Sequence, residues 1–287
     1  MTGPAQPTAA DLADRTGLDE QLLGVPVPLP ALRDPLPAVR LDYTHFSVLL
    51  RTDRRLAAVA GVGIDGALLQ DRPRAGIDWR LDPRLPADQQ TGEAVYARND
   101  LDRGHLVRRA DAVWGATDAE AQRGNEDTFF LTNAAPQAAA FNQGAELWLG
   151  LEDLLLANAE TGERRLVVFT GPVLDPADPV YRGVQLPLRF WKVAAFLDGG
   201  GLGATGYLLD QTQLIGRLPA RAAASPPPPG AFRTFGVPIA DLAALTGLDL
   251  DQLAVADRLP TVVGQPAGDP GVPAGWVPLT SPDQVRR

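Results

Sequence analysis

The sequence predicts an α+β fold, because strand patterns and helical patterns occupy separate segments of the chain. Residues 43–50 and 56–64 are two β-rich apolar runs joined by a short polar turn, which is typical of a β-hairpin. A short strand is also predicted at 128–131. Later β-rich runs are expected to form further strands, and they cover residues 166–170, 189–196 and 205–209.

Helical patterns fill parts of the chain between these strands. Thr117 is a candidate N-cap for the second predicted helix, because a threonine hydroxyl can accept a hydrogen bond from a backbone N–H of the first turn. The predicted helices cover residues 11–23, 116–122, 144–158 and 241–245. Residues 70–100 lack periodicity and residues 225–230 are rich in proline, so both segments are predicted to be loops.

Residues 102–105, with the sequence Asp-Arg-Gly-His, contain one of only two histidines in the chain. Two asparagines, Asn133 and Asn142, follow in one polar string. A histidine beside an arginine, followed by amides and a carboxylate, supplies the groups that metal-assisted phosphodiester cleavage needs. The other histidine, His45, alternates with Phe46 in a predicted strand, and we interpret it as structural.

The charge of the chain limits how it could bind nucleic acid. Its formal net charge is −9, whereas a protein that coats nucleic acid by charge alone is basic. An enzyme can rely on a local basic patch instead. Arginines crowd the region before and through the histidine motif, namely Arg72, Arg74, Arg80, Arg84, Arg98, Arg103, Arg108 and Arg109. Acidic residues are interleaved there, so a solvated charged surface is the alternative interpretation.

The composition excludes sites that need cysteine and argues against a membrane span and a signal peptide. The chain has no cysteine, which excludes disulfides, thiolate metal sites and a cysteine nucleophile. No apolar run approaches the ~20 residues that a membrane helix needs. Residues 1–4 lack the basic and apolar regions of a signal peptide. We therefore expect no membrane partner and a protein that is cytoplasmic or exported by a route without a signal peptide.

Several motifs resemble those of the DNA/RNA non-specific endonucleases, an endonuclease G-like, ββα-metal family. Residues 102–106 resemble the family's D-R-G-H motif, and Asn133, Pro136-Gln137 and Asn142 match its N-x-x-P-Q…N string. Other matching segments are Trp148 with Leu151-Glu152, Phe169-Thr170-Gly171-Pro172, and Gln185-Leu186-Pro187 with Phe190-Trp191-Lys192-Val193. Their order and spacing, over roughly residues 40–255, resemble the bacterial branch of the family.

The resemblance implies a mixed or antiparallel sheet core that carries a ββα-metal finger, which is made of two strands and a helix. Substrate would lie across this finger. The resemblance also implies an N-terminal extension over residues 1–40, a nuclease domain over 41–255 and an irregular C-terminal tail over 256–287.

The resemblance further implies roles for six residues. His105 would be the general base, and Asn142 would be the sole protein ligand of Mg²⁺, or alternatively Mn²⁺, with water in the other metal positions. Asn133 would orient the histidine or the phosphate, and Glu152 would hold metal-bound water. Arg103 and an upstream arginine would stabilise the charge of the pentacovalent transition state.

Two features depart from the family pattern. The segment from Asn142 to Glu152 is two residues longer than in the family, so Glu146 is an alternative carboxylate for the metal-bound water. The second departure concerns the upstream arginine, which in the family falls just before an aromatic turn. Here residues 77–79 occupy that point with Arg74 and Arg80 nearby, and we favour Arg74. The motif's own arginine, Arg103, could instead pair with Asp100 or Asp102.

The residues and the resemblance together favour a metal-dependent endonuclease that hydrolyses DNA and RNA and leaves 5′-phosphates. One alternative is a catalytically inactive, nuclease-like binding module, which would bind without metal and without His105. The other is a toxin or effector nuclease controlled by a protein inhibitor.

Overall fold

The computed structural model describes residues 6–74, 76–139, 156, 159–160, 164–215, 233–259 and 273–279. Within them the fold is α+β, and its core is an eight-stranded sheet in which all neighbouring strands run antiparallel. In sheet order, the strands are β1 (Ala38–Asp42), β2 (Phe46–Arg51), β3 (Leu56–Asp65), β6 (Arg165–Pro172), β9 (Arg189–Asp198), β10 (Gly201–Asp210), β11 (Arg233–Gly236) and β12 (Val277–Leu279).

Two separate strand pairs accompany this sheet. One consists of β4 (Leu101–His105) and β5 (Ala134–Ala138), and the other of β7 (Val180–Tyr181) and β8 (Val184–Gln185). The described α-helices are α1 (Asp118–Asp127), α2 (Thr212–Ile215), α3 (Ile239–Thr246) and α4 (Asp251–Val255). None of the helices in the described part of the chain is both long and apolar enough to cross a membrane.

The large sheet is buried on both faces. Every residue of β3 is buried, as expected for a central strand covered from two sides. One apolar layer includes Phe46 and Leu106 and packs toward the β4–β5 pair. The opposite layer is covered by residues from α3 and α4 and by the N-terminal segment, including Leu18 and Leu22. The candidate site therefore lies on the first face, and the N-terminal segment supports the sheet from behind.

The N-terminal segment is not the helix predicted for residues 11–23. It contains a single short 3-10 turn, Ala10–Leu12. Gly17 then adopts a left-handed φ of 76°, and a Cβ there would lie 2.4 Å from Asp42 Oδ1. The Gly17 N–H donates to the carbonyl oxygen of Tyr43 at 3.0 Å, so contacts with the sheet replace the local helix.

The hairpin prediction is confirmed, since β2 pairs with β3 across a tight turn. The placement of His45 within its first strand is wrong. His45 lies in the turn between β1 and β2 with a φ of 70°, and the Tyr43 N–H donates to the carbonyl oxygen of Phe46 at 2.9 Å across it. Histidine is among the residues that tolerate the left-handed region.

The predicted helix at 116–122 is confirmed as α1, and Thr117 Oγ1 accepts the Glu120 N–H at 3.2 Å as its cap. The strand predicted at 128–131 is wrong. Only Phe130 forms an isolated bridge there, to Arg80, and a 3-10 turn over Leu131–Asn133 leads directly into β5. The apolar signal of this segment comes from buried ring packing and not from a strand.

The later strand predictions are confirmed by β6, β9 and β10, and the helix predicted at 241–245 is confirmed by α3. The tail after residue 256 is not irregular throughout, because β12 pairs with β11. The loop predicted at 225–230 lies outside the described residues. Most of the helix predicted at 144–158 also lies outside them, and only Leu156 of that segment is described, in helical conformation.

Candidate active site

The β4–β5 pair places two residues of the motif on one face. In this register His105 lies opposite Ala134 and Arg103 opposite Pro136. Because side chains alternate along a strand, Arg103 and His105 project to the same side and Gly104 to the other. The two side chains that the sequence singles out for chemistry therefore share a surface.

Gly104 is required by the packing behind that surface. A Cβ on Gly104 would lie 2.0 Å from Oε1 of Gln137, a residue that is buried in β5. The pair is tied to the main sheet by buried Gln211, whose Oε1 accepts the Ala138 N–H at 3.0 Å. The glycine of the D-R-G-H motif and the glutamine of the P-Q step thus fit each other physically.

His105 packs between two aromatic rings. Its ring centroid lies 4.4 Å from that of Trp79 and 5.2 Å from that of Phe129, which meets it edge-on. The residue is partly exposed as a whole, but Nε2 is shielded from solvent and hydrogen-bonds to none of the described residues. A buried polar atom without a protein partner marks a site for a small polar ligand such as water.

The surroundings of His105 keep its imidazole neutral. Burial lowers the pKa of His105 to about 3, and the positive charges of Arg74 and Arg109 act in the same direction. Both effects disfavour the imidazolium. A neutral imidazole at physiological pH is the form that can accept a proton.

Asn133 is fully buried and acts on the backbone that follows His105. Its Oδ1 accepts the Val107 N–H at 2.9 Å, and its Nδ2 donates to the carbonyl oxygens of Val107 and Thr128, both at 3.0 Å. The Leu106 N–H also donates to the Asn133 carbonyl oxygen at 2.9 Å. These bonds fix the chain next to the histidine, whereas a direct contact with the imidazole or a phosphate stays a prediction.

Arg103 forms a bidentate ion pair with Glu93, a residue absent from the predicted partners. Arg103 Nε lies 2.9 Å from Glu93 Oε2, and Nη2 binds Glu93 Oε1. The guanidinium also lies over the Tyr96 ring, 5.3 Å from its centroid. Glu93 therefore occupies donors of Arg103 that a phosphate would need.

The two candidate upstream arginines differ in their surroundings. Arg74 is exposed, and its guanidinium carbon lies 5.7 Å from the centroid of Phe129, one of the rings around His105. Arg80 is half-buried, lies 4.4 Å from the Phe130 centroid and donates to the Glu126 carbonyl oxygen at 3.0 Å. Arg74 is thus the one with a free face near the histidine.

The site also contains residues to which the sequence assigned no role. Trp79 and Phe129 enclose the imidazole, and Arg109 adds a positive charge beside it. A signal for Arg109 was present, since it lies four positions after His105 in an arginine-rich run. The ring packing had no comparable signal because Trp79 comes from a segment without periodicity.

The predicted metal ligand Asn142, and the carboxylates Glu152 and Glu146, lie outside the described residues. Within the described part of the chain, no group of three or more histidine, cysteine or acidic side chains is arranged to hold a metal ion. An asparagine oxygen is a suitable ligand for a hard cation such as Mg²⁺. The shielded Nε2 of His105 can accept a hydrogen bond from a water molecule, so the described residues fit the predicted metal-assisted hydrolysis.

Three relatives resemble the chain over part of their length. Protein y4fB of Sinorhizobium fredii, an uncharacterized protein, is 38% identical over 266 residues, which are 85% of this chain and 40% of that protein. Mitochondrial endonuclease G of Bos taurus is 29% identical over 143 residues, 46% of this chain and 45% of that protein. Nuclease C1 of Cunninghamella echinulata is 30% identical over 149 residues, 48% of this chain and 56% of that protein. The chain thus spans about half the length of these relatives, or less.

A solved structure and a family model complete the comparison. A chain in the crystal structure of the EndoG/EndoGI complex has the same fold, with a TM-score of 0.56 and 17% sequence identity, over 85% of this chain and 92% of that chain. The family model of the DNA/RNA non-specific endonucleases matches residues 33–257. The chain therefore belongs to the DNA/RNA non-specific endonuclease family.

Proposed function

We propose that the chain is a metal-dependent endonuclease that hydrolyses phosphodiester bonds of DNA and RNA without regard to the sugar. One observation carries this proposal: the shielded Nε2 of His105 has no hydrogen-bond partner among the described residues and lies between aromatic rings, close to cationic side chains. A ring nitrogen that the fold leaves unsatisfied is available to a water molecule.

His105 acts as the general base. The proton passes from water to His105 Nε2, the water oxygen bonds to phosphorus, and the bond from phosphorus to the 3′-oxygen breaks. The 3′-oxygen leaves with the electron pair and takes a proton from solvent water to become a hydroxyl group. The products then carry 5′-phosphates. A substrate phosphate near Arg74 and Arg109 offsets the charges that lower the pKa of His105, so the basicity of the imidazole rises when substrate binds.

The arginines bind and orient the phosphate. Arg74 presents an exposed guanidinium, which can form charge-assisted hydrogen bonds to phosphate oxygens. Arg103 projects from the same face as His105 but is paired with Glu93. In the substrate complex, phosphate oxygens would take over some of these donors. Asn133 keeps the backbone beside His105 in register through its bonds to Val107.

Asn142 would hold the metal ion, Mg²⁺ or Mn²⁺, and Glu152 or Glu146 would hold its water ligands. When bound, the ion would supply positive charge that stabilises the phosphorane and the leaving oxygen. The chain's own residues bind the phosphate, exclude bulk water around His105 and accept the proton.

The test is cleavage of supercoiled plasmid and of a structured RNA by the wild type and by His105→Ala, in Mg²⁺, in Mn²⁺ and in EDTA. We expect metal-dependent nicking and linearisation of the plasmid, fragmentation of the RNA and loss of both in the variant. A folded, metal-supplied wild type that cleaves neither polymer would contradict the proposal. Binding that survives EDTA and His105→Ala without any cleavage would favour the inactive binding module instead.

An inhibitor-controlled nuclease is the second candidate function. It is favoured by the similarity in fold to a chain of the EndoG/EndoGI complex, whose crystal structure describes the inhibition of EndoG. A small protein that co-purifies with the chain from its native host and abolishes plasmid cleavage would support it. A consistently free and active chain would count against it.

A further inference from the structure

The segment that carries Arg74 has no regular secondary structure of its own. Residues 71–74 belong to neither a helix nor a strand, and Asp71, Pro73 and Arg74 are exposed. The segment closely follows Leu69, which forms an isolated β-bridge with Trp114. An exposed, irregular segment does not by itself hold a guanidinium in place, because ordering its backbone and a long side chain opposes binding entropically.

Two side chains from another part of the chain bind the backbone of this segment. Arg109 Nη1 donates to the carbonyl oxygen of Arg72 at 2.7 Å, and Asn125 Nδ2 donates to the carbonyl oxygen of Pro73 at 3.1 Å. The two are also joined, since Arg109 Nη1 donates to Asn125 Oδ1 at 3.3 Å. Consecutive carbonyl groups immediately before Arg74 are therefore held by a connected pair of side chains.

Both anchors lie on rigid elements next to the candidate site. Asn125 is fully buried in α1, and Arg109 begins the 3-10 turn Arg109–Ala112, four residues after His105. The amide of Asn125 uses its oxygen for Arg109 and its nitrogen for the segment, so its orientation is fixed. The pair thus links the strand of the histidine, through α1, to the arginine-bearing segment.

Electrostatics argue against a purely structural purpose. Burial lowers the pKa of Arg109, and the neighbouring charges of Arg74 and Arg108 lower it further, while Asp71 opposes them. The guanidinium groups of Arg74, Arg108 and Arg109 repel one another beside the neutral imidazole, and Asp71 counters this repulsion. Such an arrangement is expected where a phosphate binds.

We propose that Arg109 and Asn125 are positioning residues, which clamp residues 72–74 so that the Arg74 guanidinium stays beside His105 to receive a substrate phosphate. This inference rests on the proposed function, because it assumes that the anion is a phosphate of a nucleic acid. In this proposal Arg109 acts through Arg74, because both hydrogen bonds from its Nη1 hold the protein and not a ligand.

The test is a double-mutant cycle on binding of a short fluorescein-labelled DNA duplex, measured by anisotropy in EDTA so that cleavage does not interfere. The variants are Arg109→Gln and Arg74→Ala, singly and together, with Asn125→Ala as a second arm. We expect each single variant to weaken binding by roughly tenfold, the effect of losing about 1.4 kcal/mol. In the Arg74→Ala background, the changes at Arg109 and Asn125 should have almost no further effect, because coupled residues are not additive.

Controls separate positioning from loss of charge or of fold. Arg123→Gln removes one positive charge from the exposed face of α1 and should leave binding nearly unchanged. Arg109→Lys keeps the charge but cannot reproduce the guanidinium's geometry, so it should restore only part of the affinity. Circular dichroism of each variant confirms that it is folded.

Additive losses in the cycle would overturn the clamp and make Arg109 an independent phosphate contact. Wild-type affinity in Arg109→Gln would overturn it as well. A wild type that binds the duplex and shows the predicted coupling, yet cleaves no plasmid in Mg²⁺ or Mn²⁺, would contradict the nuclease proposal while supporting the clamp. The two proposals therefore fail in different ways.

Discussion

The chain has two histidines, and their surroundings differ in one decisive respect. Both rings pack against a tryptophan, His45 on Trp114 at 3.6 Å and His105 on Trp79 at 4.4 Å. Nε2 of His45 lies 3.0 Å from the Trp114 carbonyl oxygen, whereas Nε2 of His105 hydrogen-bonds to none of the described residues. Within the described part of the chain, Nε2 of His45 thus has a partner and Nε2 of His105 has none.

The charges around the two rings also differ. Burial lowers the pKa of both histidines. Around His45, the Trp114 carbonyl and the carboxylates of Glu120 and Asp127 oppose this shift, while around His105 the neighbouring arginines add to it. Burial therefore does not distinguish the two rings, whereas the unsatisfied nitrogen and the positive charges beside His105 do, and they support its proposed role as the general base.

The largest expected effect is on plasmid cleavage, and it appears when the same substitution, histidine to asparagine, is made at each of the two histidines. His105→Asn should reduce plasmid cleavage by about 10²–10⁴-fold, the usual share of a general base. His45→Asn should leave the rate per folded molecule within a few-fold of the wild type, because asparagine also tolerates the left-handed backbone at that position. It should instead lower the free energy of unfolding by about 1–3 kcal/mol.

Initial nicking rates and urea unfolding of both variants test this contrast. Equal loss of cleavage in the two folded variants would contradict it, and so would activity near the wild-type level in His105→Asn.

The next effect concerns the arginines near the aromatic turn. Arg74→Ala should lower kcat/KM for plasmid cleavage by about 10- to 10²-fold, since a charge-assisted hydrogen bond contributes about 1.5–3 kcal/mol. Arg80→Ala should mainly lower stability, because Arg80 donates to the Glu126 carbonyl oxygen and packs on Phe130. If Arg80→Ala lost more kcat/KM than Arg74→Ala at equal folded fraction, the assignment of the upstream arginine would be reversed.

A third prediction concerns the packing behind the histidine. Gly104→Ala should lower the free energy of unfolding by about 1–3 kcal/mol, because its Cβ would lie 2.0 Å from Gln137 Oε1. Shortening the opposing side chain in Gly104→Ala/Gln137→Ser should recover part of that loss. Gly92→Ala, where the nearest atom lies 4.0 Å away, is the control in urea unfolding. Equal stability of the two alanine variants would show that Gly104 is not sterically required.

The smallest effect concerns the ion pair on the substrate face. Glu93→Gln should tighten duplex binding at low salt by up to about fivefold, because exposed ion pairs contribute about 0–1 kcal/mol, and the gain should shrink at high salt. Asp53→Asn breaks a comparable pair with Arg51 at the hairpin turn and should not change affinity. Weaker binding by Glu93→Gln would mean that Glu93 positions Arg103 for the phosphate.

The parts of the fold that periodicity predicts are those with strong local patterns. The β2–β3 hairpin consists of two β-rich apolar runs around a short polar turn, and α1 has a capping residue at its start. The structure contains both elements. The segment predicted as a helix at 11–23 failed because Gly17 and the contacts with Tyr43 are tertiary features. The apolar run at 128–131 failed because Phe129 and Phe130 are buried in ring packing, which period alone does not distinguish from a strand.

The residues of the candidate site show the same difference between local sequence patterns and tertiary contacts. The motif spacing predicted His105, Arg103 and Asn133 as site residues. His105 and Arg103 lie in β4, and Asn133 directly precedes the partner strand β5, so the strand pairing brings these residues together. That reasoning does not find Glu93, since it reaches Arg103 from a separate 3-10 turn, Glu93–Val95. Arg109 stood in the arginine-rich run, but its hydrogen bond to Arg72 and that of Asn125 to Pro73 are tertiary contacts that the sequence does not indicate.

The most direct test of the central claim, that His105 is held neutral with an available nitrogen, is an NMR pH titration of the two histidine rings in EDTA. Spectra of His45→Asn assign the two signals. Because the pKa of His105 is lowered to about 3, its signals should keep the neutral shift from pH 8 down to the onset of acid unfolding, and Arg74→Ala should raise the apparent pKa. Wild-type His105 titrating at its ordinary value of about 6.5 would contradict the account.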